Sequence, residues 1–379
     1  MVSRPLSRRN PKSIGLKWFK HFEQDGVRGW GPSLKGSGRI CSNLFKGKNI
    51  MTVRNLPLPK TAASGVLLAT TALAGTAIFN HQMAKTAEKK HPPEGQFLMV
   101  DGVRLHYVDS GGDKSPVVLL HGNGTMIADM AISGLLERAS RQHRTIAFDR
   151  PGFGYSSRPR STNWTPPAQA SLFRKAFARL GIERPMVVAH SWGTLVALGL
   201  ALDEEAVGGL VLISGYYYPT ARMDVALLSP PSIPLLGEIM RYTVSPLLGR
   251  ALAPHMISKS FAPSTVTEEF KSRYPLDMAL RPSQIRASAE ETASMTSAAA
   301  AFQNGYRSLH IPVFILAGAG DKIVNVDQQS RRLAGDLPGS ALWVLPGLGH
   351  MLHHSAPDQV IEALEILSKR ISGISRLAA

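Results

Sequence analysis

The segment that most restricts the fold spans residues 186–202. Four apolar residues, Met186-Val187-Val188-Ala189, lead through His190-Ser191-Trp192-Gly193 into the small, apolar stretch 194–202. The first run has the length of a buried strand, and the second has the length and composition of a helix. Only a few residues lie between them, so the chain must reverse sharply and the neighbours of Ser191 must be small. Ala189 and Gly193 meet that need. Such a strand–turn–helix would hold a serine hydroxyl clear of the sheet edge. A serine found there alone would read as the cap of the following helix, so its meaning depends on the rest of the chain.

The rest of the chain repeats the same rhythm. Apolar runs at 117–120, 145–148, 210–213 and 312–316 alternate with helical patterns at 127–139, 168–181 and 326–335. A strand at 341–345 and a helix at 358–369 close it, and segments 97–100 and 103–108 read as an antiparallel hairpin at its start. Strands that are apolar throughout need cover on both faces. The pattern therefore predicts an α/β fold: a mostly parallel eight-stranded sheet with helices on both faces. The rhythm stops at Gly215 and resumes near 312, with helical fragments around 235–244, 264–272 and 283–301. A structureless loop of that length is uncommon in a compact domain, so this stretch predicts an inserted helical cap. The expected organisation is a basic tail (1–60), a hydrophobic segment (61–81), a linker (82–96), the core (97–215), the cap (216–306), the returning core (307–372) and a tail (373–379).

Two more residues make Ser191 chemically interesting. Asp321 follows the 312–316 strand, and His350 ends the turn Pro346-Gly347-Leu348-Gly349-His350 after the 341–345 strand. A serine hydroxyl is a weak nucleophile and needs a neighbouring base. His350 is the expected base, and Asp321 the carboxylate that would fix its tautomer. The oxyanion of acyl transfer needs aimed donors. The backbone N–H groups of Trp192 and of Asn123, in the loop His121-Gly122-Asn123-Gly124, are the expected pair. Asp149 reads as a loop anchor, Asp327 as a helix-start residue, and His353 and His354 as structural or surface residues. Phe153, Trp164, Tyr216, Tyr217, Leu236 and Met240 are the candidate substrate-pocket residues. No metal motif or dinucleotide fingerprint is present, so neither metal nor cofactor is expected.

These motifs resemble the α/β-hydrolase superfamily over about residues 95–372. The chain is similar to its capped members: serine esterases, carbon–carbon bond hydrolases, cofactor-free haloperoxidases, epoxide hydrolases and haloalkane dehalogenases. The resemblance implies a triad of Ser191, Asp321 and His350 and an oxyanion hole at Asn123 and Trp192. In haloalkane dehalogenases those two positions hold halide through their side chains. Those enzymes use an aspartate nucleophile, and the chain has Ser191 there. A serine would form an ether with an alkyl halide, which water does not readily cleave. The expected function is cleavage of a small-to-medium hydrophobic carboxylic ester through an acyl-enzyme. Carbon–carbon hydrolysis, haloperoxidase or perhydrolase chemistry, and a non-catalytic ligand-binding role on the same fold stand as alternatives.

The formal charge of +16 is concentrated at the start of the chain, where residues 1–90 hold 16 of the 43 Lys and Arg but only 3 of the 27 Asp and Glu. The folded region is nearly balanced and shows no interleaved basic and aromatic face, which argues against nucleic acid as a partner. The lone cysteine, Cys41, permits no disulfide within the chain. Residues 62–80 lack charge and have the length of a bilayer span. The expectation is a single-pass membrane anchor through 61–81, with the catalytic part on the non-cytoplasmic side. Export after cleavage of a signal is the alternative, with Met51 as a possible start.

Overall fold

The structure, a computed structural model, describes residues 60–202 and 206–378. Eight strands form one sheet: β1 (Gln96–Val100), β2 (Val103–Asp109), β3 (Pro116–Leu120), β4 (Arg144–Phe148), β5 (Met186–His190), β6 (Gly209–Ile213), β7 (Val313–Gly318) and β8 (Ala341–Leu345). Their order is β1-β2-β4-β3-β5-β6-β7-β8. The β1–β2 and β2–β4 pairs are antiparallel, and all later pairs are parallel.

Each central strand serves two cores, because successive side chains leave opposite faces of the sheet. Val118, Leu120, Val187, Ala189, Leu210 and Leu212 pack with the helices Pro166–Leu180 and Gly193–Ala201. Val117, Leu119, Met186, Val188, Val211 and Ile213 pack on the other face with Leu135–Ser140 and Pro357–Ala378. Burying one such side chain fully stabilises by about 1.5–3 kcal/mol. Both sets are needed, which is why these strands are apolar at every position.

Between β6 and β7 the chain forms the inserted helical region, with helices Met223–Leu228, Leu236–Tyr242, Val244–Phe261, Glu268–Arg273, Leu276–Ala279 and Pro282–Phe302. The Val244–Phe261 helix is not predicted by the sequence pattern, because Pro254 lies inside it and proline disfavours a helix interior. The Pro282–Phe302 helix joins the main core through Met295, Ala298, Ala299 and Phe302.

The expectation of a membrane anchor through residues 61–81 is corrected. The segment belongs to one helix, Lys60–Lys90, which runs through much of the stretch expected to be a linker. No helix among the described residues is long and apolar enough to cross a membrane. The uncharged stretch is diluted by Thr, Ser, Ala and Gly, and the hydroxyls of Thr70, Thr71 and Thr76 bond back to carbonyls one turn earlier. The second half of the helix packs on protein. Asn80 Nδ2 donates to the carbonyls of Tyr242 and Thr243 at 3.0 and 2.7 Å, and Glu88 pairs with Arg281 at 3.0 Å. The membrane partner, the spanning helix and the non-cytoplasmic placement of the catalytic part fall with that anchor.

Candidate active site

Ser191 follows β5 directly and adopts a φ of 51°. That left-handed conformation is unfavourable for a residue with a Cβ, and local bonds hold it. Ser191 N–H donates to Ile213 O at 2.9 Å. Its carbonyl accepts from Thr194 N and, at 2.6 Å, from Thr194 Oγ1. Gly193 lets the turn close: a Cβ there would stand 2.6 Å from His121 O and 2.9 Å from Leu120 O.

His350 and Asp321 arrive on the loops after β8 and β7. The loop after β8 closes on the end of β7 at Gly318, where a Cβ would meet Gly349 O at 2.4 Å. His350 Nδ1 lies 2.8 Å from Asp321 Oδ2, and His350 Nε2 lies 2.9 Å from Ser191 Oγ. The other Asp321 oxygen accepts from the backbone N–H groups of Ile323 and Val324 at 2.7 and 2.9 Å. The carboxylate is buried, and both of its oxygens are engaged. Asp327, expected at a helix start, is exposed and pairs with Arg331.

Asn123 and Trp192 both bond to the Pro282–Phe302 helix. Asn123 Nδ2 donates to Ser288 O at 3.2 Å and Thr292 Oγ1 at 2.9 Å. Trp192 Nε1 donates to Glu291 O at 3.2 Å. Both side-chain donors are therefore engaged by one helical turn. The backbone N–H groups of the same two residues find no protein acceptor among the described residues. Phe153, Trp164, Tyr216 and Tyr217 are buried, the last three within the main core. Leu236 and Met240 lie on the helix Leu236–Tyr242, with Leu236 exposed and Met240 half-buried.

Several titratable groups not proposed for catalysis surround this centre. Asp149 accepts from the N–H groups of Ile127 and Tyr155 and lies 2.6 Å from His106 Nδ1, as suits a loop anchor. His353 and His354 are buried, and their Nε2 atoms meet the two oxygens of Asp129 at 3.1 and 2.8 Å. Burial holds His353 below the ordinary histidine range. Burial, with the nearby His353 and His350 rings, holds His190 well below it. Asp129, His190 and His353 offer ligand atoms within 4.8 Å of one another and could hold an ion. All three side chains are already engaged, Asp129 by His353 and His354 and His190 Nε2 by His350 O at 3.1 Å, which leaves Nδ1 of His190 and of His353 as their unpartnered nitrogens. The sequence pattern also missed the buried pair Arg150–Glu291. The available signal was a glutamate on the apolar face of a helix, in register with Gln284, Ala287, Met295 and Ala298, where charge is rare unless paired.

A family model described as alpha/beta hydrolase fold matches residues 115–357. Haloalkane dehalogenase 2 of Mycobacterium tuberculosis is 23% identical over 288 residues, covering 72% of this chain and 94% of that protein. Among solved structures, a thermophilic esterase from Thermogutta terrifontis has 20% identity and a TM-score of 0.59, covering 73% of this chain and 99% of its own. The enol-lactonase from Burkholderia xenovorans LB400 has 18% identity and a TM-score of 0.58, covering 72% and 100%. At these identities the solved structures speak for the fold.

Proposed function

The chain belongs to the α/β-hydrolase superfamily, whose match supports hydrolase activity in general, and on that premise we propose a serine hydrolase acting on small-to-medium hydrophobic carboxylic esters. The observation that carries this reading is the single imidazole between Ser191 Oγ and Asp321, at 2.9 and 2.8 Å. In this reaction Ser191 Oγ attacks the ester carbonyl while His350 Nε2 takes its proton. Asp321 keeps Nδ1 protonated and stabilises the imidazolium. The N–H groups of Trp192 and Asn123 receive the oxyanion. The intermediate collapses, and the alcohol leaves with the proton from His350. A water activated by His350 then attacks the acyl-enzyme, and the acid departs as Ser191 recovers its proton. The apolar side chains of Leu236 and Met240 on the cap suit an acyl chain or aromatic ester.

The relatives named as dehalogenases do not favour halide release here. The nucleophile position is Ser191, and the side-chain donors of Asn123 and Trp192 already serve Ser288, Glu291 and Thr292. The test is covalent labelling of the full chain with a fluorophosphonate, followed by peptide mapping. The adduct is expected on Ser191, and Ser191→Ala is expected to lose both label and ester turnover. Ester turnover at the wild-type rate in Ser191→Ala would refute the mechanism.

A further inference from the structure

Arg150 follows β4 and is fully buried, with no role in the reaction just described. Its guanidinium is gripped on every edge. Nε donates to His121 O at 2.8 Å, and Nη2 donates to Gly122 O at 2.8 Å. Nη1 and Nη2 both donate to the carboxylate of Glu291, the second at 3.0 Å, and Nη1 also reaches Gln169 Oε1 at 3.3 Å. The rings of Phe153 and Trp192 lie 4.7 and 4.8 Å from the guanidinium carbon.

The bond to Gly122 O matters because peptide groups are planar and trans. In such a group the C=O of one residue and the N–H of the next point in opposite directions. By holding Gly122 O, Arg150 turns the N–H of Asn123 away from itself. That N–H has no protein acceptor among the described residues. The loop also lies against the nucleophile, since a Cβ on Gly122 would stand 3.2 Å from Ser191 Cβ. His121 is fixed in the same way: its Nδ1 meets Gly122 O at 2.8 Å, and its Nε2 accepts from Arg150 N at 3.0 Å.

Glu291 ties this arrangement to the cap. It lies in the helical turn that accepts from Asn123 Nδ2 and Trp192 Nε1. One turn, Ser288 to Thr292, therefore reaches both residues whose backbone donors would stabilise the oxyanion, and also the arginine that orients one of them. A buried ion pair is weak support for stability, since desolvation offsets most of its attraction. Its clearest consequence here is geometric. We propose that Arg150 and Glu291 are positioning residues that aim the Asn123 N–H for oxyanion stabilisation.

This inference rests on the serine hydrolase reading, and the test separates the two. The full chain and its Arg150→Lys variant are compared on p-nitrophenyl butyrate and on the matching thionoester, whose sulfur accepts hydrogen bonds weakly. Affinity for phenylboronic acid, a tetrahedral adduct former, is measured alongside. Lysine keeps the charge but offers three donors on one nitrogen, and cannot reproduce the five bonds that the planar guanidinium makes to His121, Gly122, Gln169 and Glu291. The expected result is a fall in kcat on the ester of about 10²-fold, with KM little changed. Phenylboronic acid binding weakens in parallel, and thionoester turnover falls much less. Circular dichroism and thermal denaturation check the fold. If Arg150→Lys does not fold, Glu291→Gln carries the same comparison, with a smaller expected loss. Unchanged kcat in a folded variant, or equal losses on both substrates, overturns the positioning role alone. A wild-type chain that neither labels at Ser191 nor turns over ester overturns the functional reading, and the positioning role with it.

Discussion

Two histidines in this protein meet a buried aspartate in nearly the same way. His350 Nδ1 lies 2.8 Å from Asp321 Oδ2, and His106 Nδ1 lies 2.6 Å from Asp149 Oδ2. They differ in what the other ring nitrogen meets. For His106 it is the carbonyl of Glu94 at 2.6 Å; for His350 it is the hydroxyl of Ser191 at 2.9 Å. A carbonyl only accepts, as does a carboxylate, so the His106 site favours a ring with hydrogen on both nitrogens. A hydroxyl can donate, so the His350 site leaves Nε2 able to accept a proton. A His–Asp contact is thus a locked ion pair or a candidate proton shuttle according to its third partner.

The largest expected effects come from exchanging each aspartate for asparagine. Asp321→Asn can present an N–H to His350 Nδ1 and stabilise the wrong tautomer. It is expected to lower kcat by about 10⁴-fold while leaving the thermal midpoint near that of the parent. Asp149→Asn removes the charge beside His106 and weakens acceptors for Ile127 N and Tyr155 N. The expected loss there is stability, about 3 kcal/mol in urea denaturation, with kcat of the folded fraction changed far less than in Asp321→Asn. Equal loss of kcat in the two folded variants would erase the distinction.

The sheet was legible because each central strand faces two apolar layers and reads as a continuous apolar run. The meeting of Ser191, Asp321 and His350 was legible because each ends a strand or the short turn after it, so the sheet order brings the three together. Other features lacked a local signal. Pro254 hides the Val244–Phe261 helix. The 61–81 segment has the length of a span without the apolarity, and only tertiary contacts such as Asn80 with Tyr242 and Thr243 show what it packs on. The Arg150–Glu291 pair joins residues far apart in sequence, and nothing near Arg150 names its partner. His353 and His354 stand beside a sharp turn, and their burial depends on Asp129, far earlier in the chain.

Histidine beside Arg150 instead of Asp149 gives the opposite titration, and this sets the next prediction. Burial, helped by the charge of Arg150, pushes His121 down to about 3. Its folded-state value lies below the unfolded value of about 6.5, so the unfolded chain takes up the proton first. The contribution of neutral His121 is full above about pH 6.5 and is lost as pH falls from there towards about 3. Thermal midpoints measured from pH 7 to pH 4 are expected to fall, and to fall less steeply in His121→Gln. A parallel slope in the variant would assign the acid loss to other groups.

The smallest effect is expected on the alkaline side, from His106. Burial works against its charge, but the hydrogen bond and negative charge of Asp149 outweigh that, and the net shift is upward. With the folded-state value raised, the folded chain holds the proton longer than the unfolded one. The stabilisation is full below about pH 6.5 and is lost as pH rises through the raised value. Thermal midpoints are therefore expected to decline gently as pH rises from about 6.5 through the raised value, and His106→Gln, which carries no proton to lose, is expected to remove that decline. Ester turnover at saturating substrate makes the comparison sharper. His106→Gln leaves Ser191, His350 and Asp321 untouched, so its kcat is expected to follow the wild-type pH profile even where its stability does not. A kcat profile displaced along with the stability curve would mean that the two His–Asp pairs are coupled through Asp149, Arg150 and the 121–124 loop.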